Sequence, residues 1–138
     1  AAKQNLFITS FVAYDVSTIV KALNDASARG VSIAMLLESS QDHGGSISFD
    51  AIGKMRTLVS SAKLYAWRER SAPFADGRVH AKVAVADEDL CFITSANLTG
   101  HAMEQNMEAG VLLSGGQIPR LLHDHLQALV DTKTVSPV

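Results

Sequence analysis

Four side chains that could bind and attack a phosphate group lie close together in the sequence. They are an imidazole, an ammonium, a hydroxyl and a carboxamide, supplied by His80, Lys82, Ser95 and Asn97. An imidazole can act as a nucleophile or a base, a lysine ammonium neutralises phosphate charge, and the two neutral groups can donate hydrogen bonds. Within each pair the residues are two positions apart, which puts side chains on one face of a strand. The sequence therefore predicts a phosphate-binding site that contains a nucleophile.

Two apolar segments are expected to position these groups. Residues 79–86 and 90–94 have the composition of adjacent strands, and an acidic turn separates them. Taken separately, each half of the pattern is commonplace, because Asn97 or Thr99 can equally cap a helix that begins near Gly100. The joint occurrence of both halves favours catalysis.

The spacing resembles the HKD signature of the phospholipase D superfamily, H-x-K-x4-D-x6-G-S-x-N. Five residues match it position for position: His80, Lys82, Asp87, Ser95 and Asn97. The chain departs from the signature at Thr94, which stands where the family has glycine. We expect this threonine to alter access of the substrate more than the chemistry.

The resemblance continues downstream of the motif. The segment 106–112 resembles the family's next strand, and Glu108 lies 28 positions after His80, as in the small single-motif nucleases of the superfamily. The resemblance implies that Glu108 orients His80 by accepting a proton from one ring nitrogen. It also places Asp87 among the catalytic residues, although an aspartate on a turn can equally brace local structure. More narrowly, segments 94–100 and 108–111 resemble the phospholipase D-like protein of the bacterial antiphage system DISARM (DrmC).

The resemblance implies a mechanism as well as a family. In phospholipase D enzymes one HKD histidine attacks phosphorus to form a phosphohistidine, and a second protonates the leaving group. This chain has a single copy of the motif, so we expect a homodimer that sets two His80 side chains across one composite site. Lys82, Ser95 and Asn97 would bind the phosphate oxygens, with no metal and no cofactor required. The expected function is a metal-independent phosphodiesterase or nuclease, with a role in antiphage defence and other defence-system proteins as partners.

Two other functions compete with this one. The first is a phospholipid-acting phospholipase D or phosphatidyltransferase of the same superfamily, for which the sequence offers no wide amphipathic aromatic face. The second is a catalytically silent phosphate-binding module of a defence complex. Parallel assays on nucleic acid and phospholipid separate the first from a nuclease, and covalent trapping of phosphohistidine separates the second.

The charge distribution bears on the substrate. The net charge of −2 hides an asymmetry: residues 54–82 carry seven basic and two acidic side chains, whereas residues 83–138 carry two basic and seven acidic ones. The basic segment leads directly into the motif, and a field of this sign attracts a polyanion. A solvated basic face without a ligand is the alternative. We expect nucleic acid, DNA or RNA, as the partner.

Length and composition fit one globular domain over residues 1–138. The chain begins without methionine, which leaves open that an upstream segment precedes it. No apolar run approaches the roughly 20 residues of a membrane-spanning helix, so we expect no membrane association and a cytoplasmic location. Cys91 has no partner cysteine and is expected to be a buried, inert thiol.

Apolar periodicity predicts alternating strands and helices. Strands are expected at 6–13, 31–37, 64–67, 79–86, 90–94 and 107–113, and helices at 18–28, 49–61, 100–105 and 118–130. Asp15 or Ser17 is expected to cap the first helix. This order predicts an α/β fold, a phospholipase D-like α-β-α sandwich whose mixed, mostly parallel sheet has helices on both faces.

The other histidines and Trp67 have a functional and a structural interpretation. His101 lies near the expected site entrance, and His43 lies in a glycine-containing loop. His123 and His125 are expected at the surface of the last helix, where alternate residues diverge by about 200°. Trp67 could stack on a base or be a half-buried strand residue.

Overall fold

A mixed seven-stranded sheet forms the centre of the computed structural model, which describes residues 1–14 and 16–138. Its strands lie in the order β6-β5-β4-β1-β2-β3-β7. They are β1 (Asn5–Ser10), β2 (Ser32–Leu37), β3 (Lys63–Ala66), β4 (Val83–Ala86), β5 (Leu90–Thr94), β6 (Gly110–Ser114) and β7 (Ser136–Pro137). The helices are α1 (Ser17–Ala28), α2 (Ala51–Leu58), α3 (Gly100–Glu104) and α4 (Gln117–Asp131), and a 3-10 turn spans Gln41–His43.

The predicted α/β class and mixed sheet are confirmed, but the expected predominance of parallel pairing is wrong. Strands β1, β2 and β3 pair in parallel, whereas β1–β4, β4–β5, β5–β6 and β3–β7 pair antiparallel. The reason is connection length. Helices α1 and α2 provide the long crossovers that parallel neighbours need, while a short turn joins β4 to β5 and permits only an antiparallel hairpin.

Helices cover both faces of the sheet, as expected for an α-β-α sandwich. Phe7 and Ile8 are successive residues of β1, so their side chains point to opposite faces. Ile8 packs in a buried cluster with residues of α1 and α2, and Phe7 packs in a second cluster with Leu126 of α4. Cys91 is buried in the second cluster as a free thiol, as predicted.

Several element boundaries differ from the sequence-based expectation. The segment expected as a strand over 79–86 enters the sheet only at Val83, and the one expected over 107–113 begins at Gly110. Helix α1 begins at Ser17 with Val16 as its N-cap residue, so Ser17 is not the cap. The alternative cap, Asp15, lies outside the described residues. No helix in the described part of the chain is long and apolar enough to span a membrane.

Candidate active site

His80 and Lys82 lie on the segment that enters β4, just before the strand. The Lys82 ammonium donates a hydrogen bond to the His80 carbonyl oxygen at 2.7 Å, and its Nζ lies 3.2 Å from His80 Nδ1. The Thr94 backbone N–H donates to the Lys82 carbonyl oxygen at 3.1 Å and ties this segment to the end of β5. The two side chains therefore come together as predicted, although neither residue lies within a strand.

The Lys82 contact determines which form of the His80 ring this arrangement favours. An ammonium can only donate, so Nδ1 must accept. A neutral ring then carries its proton on Nε2, so Nε2 has no free lone pair with which to attack phosphorus. Attack on phosphorus needs the opposite arrangement, in which Lys82 has moved from the ring to a phosphate oxygen.

Ser95 and Glu108 form a second pair, between the end of β5 and the start of β6. The Ser95 hydroxyl donates to Glu108 Oε2 at 2.5 Å and accepts from the Ala109 backbone N–H at 3.1 Å. The Asn106 amide donates to Glu108 Oε1 at 3.2 Å. The Ser95 and Asn106 hydrogen bonds lower the pKa of Glu108; slight burial opposes this, and the nearby charge of Lys82 assists it.

The predicted contact between Glu108 and His80 is absent from the described residues and needs correction. The Glu108 carboxylate is used by Ser95 and Asn106, and its link to the histidine side of the site is electrostatic, through Lys82. Burial lowers the pKa of Lys82 and Glu108 acts to raise it, so Glu108 favours the charged ammonium. The cause lies in the strand boundaries: Glu108 precedes β6 beside Ser95.

One open groove brings the predicted phosphate-binding residues together. It has a volume of about 580 Å³, and its walls include His80, Lys82, Ser95 and Asn97. The Asn97 Oδ1 atom is buried and has no hydrogen-bond partner among the described residues. Thr94 also lines the groove; its hydroxyl donates to the Ala109 carbonyl oxygen and accepts from the Ala96 N–H. The effect of this threonine on access stays a prediction.

Asp87 does not line this groove, and its expected place among the catalytic residues stays a prediction. It follows the far end of β4, with the whole strand between it and Lys82. Its carboxylate accepts three backbone N–H bonds, from Lys3 and Gln4 at 2.8 Å and from Asn5 at 3.0 Å. Burial alone would raise the pKa of Asp87, but these N–H donors lower it. The residue braces the start of β1, the alternative that the sequence had left open.

A buried ion pair that the sequence analysis missed holds the histidine segment. Glu38 follows β2 and is fully buried. Its Oε1 accepts from the Arg70 guanidinium at 2.8 Å, and its Oε2 accepts from the Val79 backbone N–H at 2.7 Å. Val79 directly precedes His80, so the carboxylate replaces a neighbouring strand as the partner of this segment. An acid at the end of the apolar run 31–37 was the signal in the sequence.

Arg70 extends this anchor to the loop that precedes the motif. Its guanidinium donates to the carbonyl oxygens of Trp67 and Gly77 at 2.8 and 2.5 Å. The guanidinium carbon also lies 5.1 Å from the Trp67 ring centroid, a cation–π arrangement. Trp67 is partly buried in this contact, which agrees with the alternative of a half-buried residue rather than a free stacking platform.

The remaining histidines lie apart from the groove walls. His43 belongs to the loop after β2 and His101 is exposed in α3. His123 Nδ1 lies 3.9 Å from Glu88 and 3.6 Å from Asp124. These three are the one group of possible metal ligands found in the described residues, and Glu88 places them at the turn between β4 and β5. They are therefore at the end of β4 opposite to His80.

Fold and groove together define an α/β protein with a groove lined by groups that are suited to binding a phosphate. Residues 1–130 match the family described as cardiolipin synthase, phospholipase D-like domain. The chain therefore belongs to the phospholipase D-like superfamily of phosphodiesterases.

Sequence and structure comparisons agree with this assignment. The chain is 26% identical over 139 aligned positions to a cardiolipin synthase of Clostridium perfringens, covering 100% of this chain and 27% of that protein. It thus spans about a quarter of that relative's length. NucT from Helicobacter pylori superposes with a TM-score of 0.77 at 18% identity, over 99% of this chain and 84% of NucT. Nuc from Salmonella typhimurium, a phospholipase D family member, superposes with a TM-score of 0.71 at 23% identity, over 100% of this chain and 84% of Nuc. The finer resemblance to the DISARM protein is not shown by these matches.

Proposed function

We propose that this protein is a metal-independent phosphodiesterase that cleaves nucleic acid through a phosphohistidine intermediate. The observation that carries the proposal is the convergence of His80, Lys82, Ser95 and Asn97 on one open groove. A bacterial antiphage role with other defence proteins, and a cytoplasmic location, are part of the same proposal. They are supported by the resemblance of segments 94–100 and 108–111 to the DISARM protein.

The proposed reaction has two steps. Nε2 of one His80 attacks phosphorus, a nitrogen–phosphorus bond forms, and the bond from phosphorus to the leaving oxygen breaks as a second His80 protonates that oxygen. The second histidine then takes a proton from water, whose oxygen attacks phosphorus and releases the first histidine. Lys82 neutralises the charge on the non-bridging oxygens, and the Asn97 amide donates a hydrogen bond to them. The Ser95 hydroxyl, which donates to Glu108 in the structure, donates to a phosphate oxygen once the substrate displaces that contact. Glu108 acts to raise the pKa of Lys82 and so favours its charged form.

The second His80 is proposed to come from a second copy of the chain. Beside the groove, Ile93 of β5 pairs with Val111 of β6, which is the edge strand of the sheet. Val111 is 52% exposed and its neighbour Leu112 is 66% exposed. An apolar strand edge of this kind is unfavourable in water unless a partner covers it. Because Ile93 also lines the groove, a copy that covers this edge would bring its own groove close.

Val111→Glu is expected to yield a monomer, because association would bury the introduced carboxylate in an apolar interface without a partner charge. Since a monomer lacks the second His80, we expect its activity to fall at least about 100-fold. Sedimentation analysis and initial rates on a labelled oligonucleotide measure the two effects. Phe74→Glu is the matched control. Phe74 is 59% exposed and packs on Trp67, which follows β3, far from the edge strand β6 in the strand order. A monomeric parent with full activity would contradict the composite site.

The exposed arginines of the basic segment 54–82 support a nucleic-acid substrate. Arg56, Arg68 and Arg78 all belong to the basic segment 54–82, and all are exposed. None of them forms an ion pair with the acidic residues that the structure describes. Their charge therefore remains available to a polyanion.

A phospholipid substrate is the second candidate, and one specific observation favours it. A cavity of about 430 Å³ opens beside His80, between the sheet and α4, and its walls include Leu122, Leu126 and Leu129. An acyl chain attached to a phosphodiester could occupy such a space. The relative named cardiolipin synthase also supports this candidate.

Parallel assays on end-labelled DNA and RNA and on phosphatidylglycerol vesicles decide between the candidates. We expect cleavage of nucleic acid, unchanged by saturating chelator, and acid-labile labelling of the protein by a phosphorus-labelled substrate. Turnover of lipid alone would favour the second candidate. Loss of activity in chelator would mean that the histidines serve a cation. A protein that binds nucleic acid without ever being labelled would be the silent binding module.

A further inference from the structure

A small polar pocket lies at the same end of the sheet as the active-site groove, two to three strands away, and is not used in the proposed reaction. Its volume is about 70 Å³, several times the ~10–15 Å³ that one water needs. Its polar lining consists of Ser39, Ser40, His43, Asp50, Arg56 and Arg68. We propose that this pocket binds a second, uncleaved phosphate of the substrate. The inference rests on the proposed action on nucleic acid.

The charges in the pocket favour an anion. Arg56 comes from α2 and Arg68 follows β3, so two separate elements direct guanidinium groups to one place. Neither arginine is paired with an acid among the residues described. The one acidic residue of the lining, Asp50, accepts a hydrogen bond from the Gly53 N–H as the N-cap of α2. Planar guanidinium groups match the oxygen geometry of a phosphate.

The loop that forms the other wall is already held in shape. The Gly45 N–H donates to the Ser40 carbonyl oxygen at 2.8 Å, and the Ser46 N–H donates to that of Ser39 at 3.0 Å. The Ser40 hydroxyl lies 2.7 Å from His43 Nδ1 and fixes the ring at the pocket. The buried hydroxyl of Ser39 has no partner in the described part of the chain. A bound phosphate would meet this unused group in a loop that needs no ordering.

The distance between pocket and groove fits a polymer with regular phosphates. The C-terminal ends of β2 and β3 lie at the same end of the sheet as the N-terminal end of β4. This follows because β1 runs parallel to β2, and Thr9 near the end of β1 pairs with Val83, the first residue of β4. Ser39 and Arg68 follow β2 and β3, which are two and three strands from β4. At about 4.8 Å per strand, the pocket is roughly 10–15 Å from His80. A polynucleotide carries one phosphate per nucleotide, so a phosphate a few nucleotides from the cleaved one can lie at this distance.

The double variant Arg56→Gln/Arg68→Gln of the full chain tests the proposal. We expect its KM for a ten-nucleotide oligonucleotide to rise at least about 10-fold with kcat nearly unchanged, and the salt dependence of KM to become shallower. Cleavage of bis(p-nitrophenyl) phosphate should remain at the parent rate, because one small diester cannot reach both sites. Lys54→Gln/Lys63→Gln removes two exposed charges of the same basic segment outside the pocket and is the matched control.

Each alternative result contradicts the inference in a recognisable way. Equal increases of KM in the double variant and its control would mean that only overall charge matters. A loss on the small diester would place the arginines in the fold or the reaction. An unchanged KM in a parent that cleaves oligonucleotides would overturn the second site and leave the proposed function standing. A parent that cleaves no nucleic acid would overturn both.

Discussion

Replacement of His80 by alanine is expected to lower the rate of phosphodiester cleavage by at least about 10³-fold, because in a symmetric dimer it removes nucleophile and acid together. The fold should remain intact. His80 is exposed on the segment before β4, and its ring faces Phe11 at 5.2 Å without being part of either buried cluster. Surface substitutions of this kind change the free energy of unfolding by about 0.5 kcal/mol or less. Initial rates and denaturant unfolding measure the two quantities.

His101→Ala is the control for this variant. His101 is exposed in α3 and is not among the described residues that line the groove, so its removal should leave kcat close to that of the parent. Covalent labelling adds a separate readout: the parent should carry acid-labile phosphate and His80→Ala should carry none. Appreciable cleavage by His80→Ala, beside an active parent, would refute the phosphohistidine mechanism.

Glu38→Ala is expected to have the largest effect on stability, about 3–5 kcal/mol, because it leaves a buried guanidinium without its partner. The Arg70 side chain is only 7% exposed, and the Val79 N–H would also lose its acceptor. A loss of this size is a large part of the 5–15 kcal/mol by which native proteins are stable. The variant can therefore fail to fold, so a milder substitution is needed beside it.

Glu38→Gln is that milder substitution. An amide oxygen can still accept from Val79, but the charge that pairs with Arg70 is gone. We expect the free energy of unfolding to fall by about 2 kcal/mol and kcat to fall in the folded protein, because the segment that carries His80 loosens. Glu69→Gln is the matched control, because Glu69 is an exposed acid in the loop between β3 and β4. It should change neither quantity. Parent-like stability and kcat in Glu38→Gln would show that the ion pair does not position the histidine.

Much of the architecture could be predicted from local pattern. Helices α1 and α4 and the central strands place apolar side chains in the core at regular intervals along the chain. These intervals can be read from the order of apolar residues in the sequence. The acidic turn between 79–86 and 90–94 indicated two adjacent strands. The two-residue spacing of His80 and Lys82, and of Ser95 and Asn97, indicated the four groups that meet in the groove.

Partners between distant segments could not be predicted in this way. Glu38 and Arg70 are 32 positions apart, and the amides that bind Asp87 are 82 to 84 positions away from it. The segment before Val83 has strand-like composition, yet it leaves the sheet because a buried carboxylate takes its N–H group. Strand β7 is only two residues long, too short to give a pattern.

The sequence by itself determined which chemical groups are present and which of them point the same way, because side-chain direction within one element follows from spacing along the chain. Only the tertiary structure decided which group bonds to which. Glu108 binds Ser95 and Asn106, Asp87 binds the start of β1, and Glu38 holds the segment before His80. These contacts depend on where separate elements meet, and that is set by packing of the whole sheet rather than by any one stretch of residues.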